Sequence, residues 1–315
     1  MSTDKTVAYE VAVPVGGAPD VVFVGVGAIG LPMATRLKLG GHRITAVDPF
    51  PTARAKAEDT GLSTAASILE VLPFSGVVVV MVATAAQLSE LVTTALGVGA
   101  VLPDQTWIVM STVGPDAVRI EAGRLSAAGA RVLDVPVTGG VARASTGELT
   151  LFASGDRDVI EEERQLLGCL GTVRVVGTAI GEGQSVKVVN QHLCSIHIVA
   201  AAEALALAAR LGLDPGAVLD LVSSGAGGSW MLNDRGPRML EDTDVTVTST
   251  IGIFVKDSNL VATAADQLGA DIPLLRAAQE RYTRAVELGL ERRDDSRVIE
   301  TYQVEATARS DAGER

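Results

Sequence analysis

Lys187 is the only Lys or Arg between Arg174 and Arg210, and it stands in the first turns of an apolar stretch, Ser185 to Leu211, that contains neither glycine nor proline. A buried lysine is costly unless it is paired or functional, and desolvation lowers its pKa toward the working range of a general acid or base. Asn190 and Gln191 follow at i+3 and i+4, on the same helical face. The pattern fits proton exchange with a substrate hydroxyl. It fits equally well a structural lysine whose stem lies along apolar surface while its head reaches water.

A second constellation is built to hold a diphosphate. The β-branched run Val21–Val26 leads into Gly25-Val26-Gly27-Ala28-Ile29-Gly30 and then into a helical Leu31–Leu39. In that strand-to-helix context the first glycine makes a tight turn, the second admits a pyrophosphate to the backbone, and the third lets helix and strand pack closely. The free N–H groups and dipole of the helix start favour an anion. Asp48 ends the next strand, eighteen positions after Gly30, where a carboxylate binds ribose hydroxyls and repels a 2′-phosphate. The first basic residue after it is Arg54, so NAD is expected in preference to NADP. Val82 and Ala83, and Ser111 and Thr112, end two further strands, where a ribose or nicotinamide can lie. Asp134-Val135-Pro136-Val137-Thr138-Gly139-Gly140 ends another with a hydroxyl and two glycines, a turn able to offer Thr138 and successive N–H groups to a carboxylate.

These residues need a scaffold, and the patterning supplies one. From Asp20 to about Val176, short β-branched runs alternate with helical segments: Val21–Val26, Ile44–Val47, Val77–Val82, Ile108–Ser111, Arg131–Val135, Thr150–Ala153 and Val173–Val176. That alternation predicts a doubly wound, mostly parallel α/β sheet. After Gly181 the strand pattern stops. The long apolar helix, expected to be buried all round, is followed by a shorter helix from Pro215, a glycine-rich loop over Gly225–Gly228, and helices over Thr250–Gly269 and Pro273–Leu288. The expected organisation is a loose tail over 1–19, a Rossmann-like dinucleotide domain over 20–180, an interdomain helix over 181–211, an all-α domain over 212–305 and a loose tail over 306–315.

Composition narrows the function classes. The 315 residues are 47% hydrophobic and 20% charged, enough apolar material for about two folded domains. The net charge of −12 argues against nucleic acid or an anionic membrane as partner. The strongly apolar run Gly76–Ala86 is short of the ~20 residues a bilayer helix needs, and no leader pattern is apparent at Met1–Lys5. Two cysteines, Cys169 and Cys194, suit a reducing, cytoplasmic setting. Together with His42, His192 and His197 they show no ligand spacing, so no metal is expected. Each histidine is expected to be either exposed or hydrogen-bonded.

Four motifs in order resemble the β-hydroxyacid dehydrogenase family, that of 3-hydroxyisobutyrate dehydrogenase and tartronate semialdehyde reductase: Gly25–Gly30 with Pro32-Met33-Ala34, Asp134–Gly140, Gly181–Gln191, and Phe254-Val255-Lys256-Asp257. The resemblance runs from Val21 to about Tyr302. It implies that Lys187 is the catalytic lysine, that Thr138, Gly139 and Gly140 hold the substrate with Asn190 and Gln191 beside it, and that Lys256 closes on the cofactor side. Thr138 stands where many members have serine, and Gln191 where some have a second asparagine. A finer resemblance, over Gly228–Arg235, Ile253–Asp257 and Asp294–Ile299, is to the L-threonate dehydrogenase branch. The family implies a small anionic hydroxy acid as substrate, hydride exchange with a nicotinamide, Lys187 as general base or acid, and a homodimer or homotetramer. On an acidic chain the cleft must be locally positive, with Arg143 and Arg235 as possible additions to Lys187 and Lys256.

Overall fold

The computed structural model describes residues 20–71, 76–103, 105–241 and 245–302; both expected tails, 1–19 and 306–315, lie outside the described residues. The chain divides into two compact units, 1–184 and 185–315.

The first unit runs β1 (Asp20–Val24), α1 (Gly30–Leu39), β2 (Arg43–Val47), α2 (Pro51–Asp59), β3 (Ser63–Ala65), β4 (Val77–Val80), α3 (Ala85–Gly97), β5 (Thr106–Val109), α4 (Pro115–Ala127), β6 (Arg131–Asp134), β7 (Val137–Thr138), α5 (Gly140–Thr146), β8 (Leu149–Gly155), α6 (Arg157–Glu162), α7 (Arg164–Gly168) and β9 (Gly171–Gly177). The sheet order is β3-β2-β1-β4-β5-β6-β8-β7, with β9 on β8. Neighbours from β3 through to β6 are parallel, as is the β8–β9 pair, while β8 pairs antiparallel with β6 and β7. Strand side chains alternate between two apolar layers. Val21, Phe23, Val77, Val79 and Ile108 pack on one face, and Val22, Val24, Val78, Val80, Trp107 and Val109 on the other, which is why β4 is valine at every position. Strand order reverses between β1 and β4, so the turns leaving those two strands flank the crevice in which such sheets bind ligands.

The second unit is helical: most of α8 (Glu182–Arg210), then α9 (Pro215–Ser223), α10 (Trp230–Leu240), α11 (Ile251–Leu268), α12 (Pro273–Glu287) and a 3-10 turn over Asp295–Ile299. Ile198, Ala202 and Leu205 of α8 pack with Leu219, Met231, Phe254 and Tyr282. Tyr282 stacks on Phe254, and its hydroxyl donates to the Ser195 carbonyl at 2.8 Å.

Two expectations need correction. The α8 helix is not buried all round: the face carrying Ile198, Ala202 and Leu205 is covered, while Val189 (61% exposed), Leu193 and Leu207 face outward. By length and composition alone α8, unlike Gly76–Ala86, is apolar enough to cross a bilayer, yet it carries the buried polar residues Lys187 and Gln191 and one face packed in the helical core. The second correction is α10, which has no counterpart among the expected elements. Gly236 and Pro237 interrupt its helical pattern, yet Ser229 caps its start by accepting the Leu232 N–H.

Candidate active site

The turn after β1 is shaped by steric necessity. Gly25 has φ +92°, and a Cβ there would lie 2.4 Å from the Met81 carbonyl oxygen; a Cβ on Gly30 would lie 1.9 Å from the Gly25 oxygen. Gly27 faces open space. Unlike α3, whose Thr84 hydroxyl accepts the Gln87 N–H, α1 is preceded by Ile29, which offers no side-chain cap. The Leu31 N–H is donated to the Gly27 carbonyl and Pro32 has none, so an anion here meets the N–H groups of the turn just before them, beside an uncrowded Gly27. A dinucleotide diphosphate fits this cradle.

Asp48 is buried, its Oδ2 accepting the Val26 N–H at 3.1 Å and its Oδ1 the Phe50 N–H at 2.9 Å. The carboxylate thus sits against the glycine turn, and each oxygen retains acceptor capacity for a ribose hydroxyl. Arg54 Nη1 donates to the carbonyls of Asp48 and Pro49. Val82 and Ala83 leave β4 beside the same turn, and Ala83 is exposed. Ser111 is fully buried: its Oγ accepts the Val82 N–H at 2.7 Å and donates to the Val80 carbonyl. It holds the Val82 backbone and presents no free hydroxyl, whereas Thr112 is half-buried.

Thr138 ends β7 opposite Thr150 of β8, and Gly139 (φ +135°) and Gly140 (φ +71°) carry the chain into α5. Thr138, Gly139 and Gly140 are all partly accessible. Asp134 opens this segment at the end of β6. It is fully buried, and its carboxylate accepts N–H groups from Gly181 and Gln184, the Gln184 side-chain amide and the Ser154 hydroxyl. Gln184 also bonds the Val113 and Gly114 N–H groups and the Ser111 carbonyl, tying the start of α8 to the ends of β5 and β6. Burial pushes the Asp134 carboxyl up, with the four hydrogen bonds opposing it.

In the helical unit Lys187 is 7% exposed. Burial pushes its pKa down; the nearby Asp257 charge, and after it Cys194, push it back up, and Lys256 opposes them. Asn190 Nδ2 donates to Gln191 Oε1 at 2.9 Å and to Cys194 Sγ at 3.4 Å, while Gln191 Nε2 donates to Asp257 Oδ2 at 2.5 Å. Lys256 Nζ lies 2.6 Å from Asp257 Oδ1. Gln191 and Lys256 thus both contact Asp257, Asn190 is tied to it through Gln191, and its charge acts on Lys187; the sequence pattern alone gives Asp257 no role. The available signal was its position in the apolar register Ile251, Phe254, Ser258, Val261 of α11, where a carboxylate is out of place unless engaged.

Arg235 does not add free positive charge, because its guanidinium is taken by Asp295 (Nη2 to Oδ2, 2.9 Å) and Asp234. His42 is neither exposed nor hydrogen-bonded: Nδ1 finds no partner among the described residues, and burial lowers its pKa, favouring the neutral ring.

A dinucleotide sheet with its glycine turn at the switch point, joined to a helical unit that buries a lysine among amides and a carboxylate, defines an NAD(P)-dependent dehydrogenase acting on a hydroxy acid. The family model for the NAD binding domain of 6-phosphogluconate dehydrogenase matches residues 20–181, and that for NAD-binding of NADP-dependent 3-hydroxyisobutyrate dehydrogenase matches residues 181–302. The chain belongs to the β-hydroxyacid dehydrogenase family. L-threonate dehydrogenase of Cupriavidus necator is 36% identical over 281 residues, covering 89% of this chain and 94% of its own. Mitochondrial 3-hydroxyisobutyrate dehydrogenase of Homo sapiens is 29% identical over 297 residues, covering 90% and 87%. A crystal structure of 3-hydroxyisobutyrate dehydrogenase from Salmonella typhimurium has a TM-score of 0.80 at 34% identity, covering 89% of this chain and 99% of its own.

Proposed function

We propose that this dehydrogenase oxidises a four-carbon sugar acid, with L-threonate the favoured substrate, and that Lys187 carries the hydroxyl proton. The observation that carries the proton role is the burial of Lys187 beside Asn190, Gln191 and Asp257. A bound nicotinamide would supply the hydride acceptor for the carbinol carbon. Neutral Lys187 takes the hydroxyl proton as general base and, in reduction, returns it as general acid. Asn190 and Gln191 orient the substrate, and Thr138 with the N–H groups of Gly139 and Gly140 holds its carboxylate. Gly25, Gly27, Ala28, Ile29 and Gly30 hold the diphosphate, Asp48 the ribose, and Val82, Ala83 and Thr112 line the nicotinamide side with Ser111 behind them; Lys256 adds positive charge.

The substrate choice is supported by L-threonate dehydrogenases from several bacteria at 33–36% identity over about nine-tenths of this chain. The Salmonella structure favours 3-hydroxyisobutyrate as the second reading. Absorbance assays with L-threonate, D-threonate, glycerate, 3-hydroxyisobutyrate and tartronate semialdehyde separate the two, and turnover of 3-hydroxyisobutyrate far above L-threonate overturns the first. NAD is the preferred cofactor because the buried Asp48 carboxylate repels a 2′-phosphate and Arg54 is engaged with backbone carbonyls. The outward Val189, Leu193 and Leu207 of α8 support a homodimer or homotetramer, which sedimentation of a monomer only would exclude. The free Cys169 and Cys194 suit work in the cytoplasm, and fractionation of the source cells tests that.

A further inference from the structure

Beside Lys187 stands a carboxylate that the proposed proton transfer does not consume. Asp257 is 4% exposed. One oxygen is fixed by the Gln191 amide at 2.5 Å; the other lies 2.6 Å from Lys256 Nζ as a charge pair without a directional hydrogen bond. Gln191 is one helical turn from Lys187, so the carboxylate is tied to the lysine's own stretch of α8. A buried charge with so few hydrogen bonds is a poor device for stability, since a neutral residue of similar shape could fill the position without the desolvation cost. What only an aspartate supplies here is negative charge beside one lysine and in contact with another.

We propose that Asp257 is a positioning residue for Lys187: anchored through Gln191 and balanced against Lys256, its carboxylate sets the pH at which Lys187 exchanges its proton. The inference rests on the reading of Lys187 as proton carrier. The groups that bear electrostatically on Lys187 are Asp257, Cys194 and Lys256, and Arg235 acts in turn on Cys194. Asp257 favours the ammonium and Lys256 disfavours it. Without the carboxylate, two like charges share the site and Lys187 gives up its proton at lower pH. Without Lys256, the carboxylate acts on Lys187 alone and the proton is held to higher pH.

The test is competitive acetylation of Lys187 by acetic anhydride across pH, read by mass spectrometry on the full-length protein, with the pH profile of kcat/KM for L-threonate oxidation as a second readout. In Asp257→Asn both limbs should move about one unit to lower pH, the size of effect one nearby opposite charge produces. In Lys256→Met both should move to higher pH. A purely structural role for Asp257 leaves the acetylation limb of Lys187 where it was, and that result, or shifts of the same sign in both variants, overturns the proposal. Should Asp257→Asn fail to fold, Lys256→Met decides alone: an unmoved or lowered limb refutes the charge balance. Retained turnover in Lys187→Ala would instead sink the proton-carrier reading, while the acetylation limbs still report on Asp257.

Discussion

Gln184 and Asp134 form a double clamp: the Gln184 side-chain amide donates to one Asp134 oxygen and its backbone N–H to the other, each at 3.0 Å. The pair locks the first turn of α8 onto the end of β6. Asp134→Ala removes the carboxylate that accepts the buried Gly181 and Gln184 N–H groups, and should lower the unfolding free energy by about 3 kcal/mol in urea titrations. A loss within ~0.5 kcal/mol, the range of ordinary surface changes, would show that the clamp is dispensable.

The glycine turn separates fold from ligand. Gly27→Val projects into open space, so the melting temperature should hold while dinucleotide affinity, measured by fluorescence titration, falls tenfold or more. Gly30→Ala must place a methyl where the Gly25 oxygen lies and should destabilise by about 1–3 kcal/mol, the usual cost of overpacking. Equal loss of stability in both variants would contradict this division.

Asp48→Ala removes the carboxylate while keeping the backbone that Arg54 engages. NADP use relative to NAD should rise about tenfold, the effect of removing ~1–2 kcal/mol of charge repulsion near the surface. An unchanged ratio of kcat/KM values would count against Asp48 as the ribose ligand.

Acid sensitivity should appear in the helical unit. Burial pushes the Asp294 carboxyl up, but the Thr248 N–H, Ser296 and the Arg238 charge outweigh it, and its pKa falls from 3.8 to about 2. A depressed carboxylate contributes stability that is present above its unfolded value and lost as pH falls through the folded one. That contribution, about 2 kcal/mol, should disappear between pH 4 and 2 in the native chain. In Asp294→Asn the urea midpoint should start lower at pH 5 and decline less over that interval; parallel declines would refute the assignment.

Much of the scaffold was legible because its signals are local. Val77–Val80 is valine throughout because both faces are covered, and Gly25–Gly30 reads directly as a turn because no other residue fits at two of its positions. Strands β3 and β7, with three and two residues, are too short for a period-two pattern to register. Helix α10 was hidden by Gly236 and Pro237. The exposed face of α8 was illegible because Ala, Val and Leu occupy both sides, and composition does not say which side is covered. At the site, spacing along one helix placed Lys187 with Asn190 and Gln191. Asp257 reaches Gln191 from a helix 66 residues away, a partnership only tertiary structure supplies.

The most direct measurement of the central claim is steady-state turnover of Lys187→Ala with the five-member substrate panel, alongside dinucleotide binding by the same protein. Loss of a positioned acid–base group should lower kcat by about 10²–10⁴-fold while leaving dinucleotide affinity within a few-fold of the native chain. Turnover by the variant within tenfold of native, on a substrate the native enzyme uses well, would contradict the account.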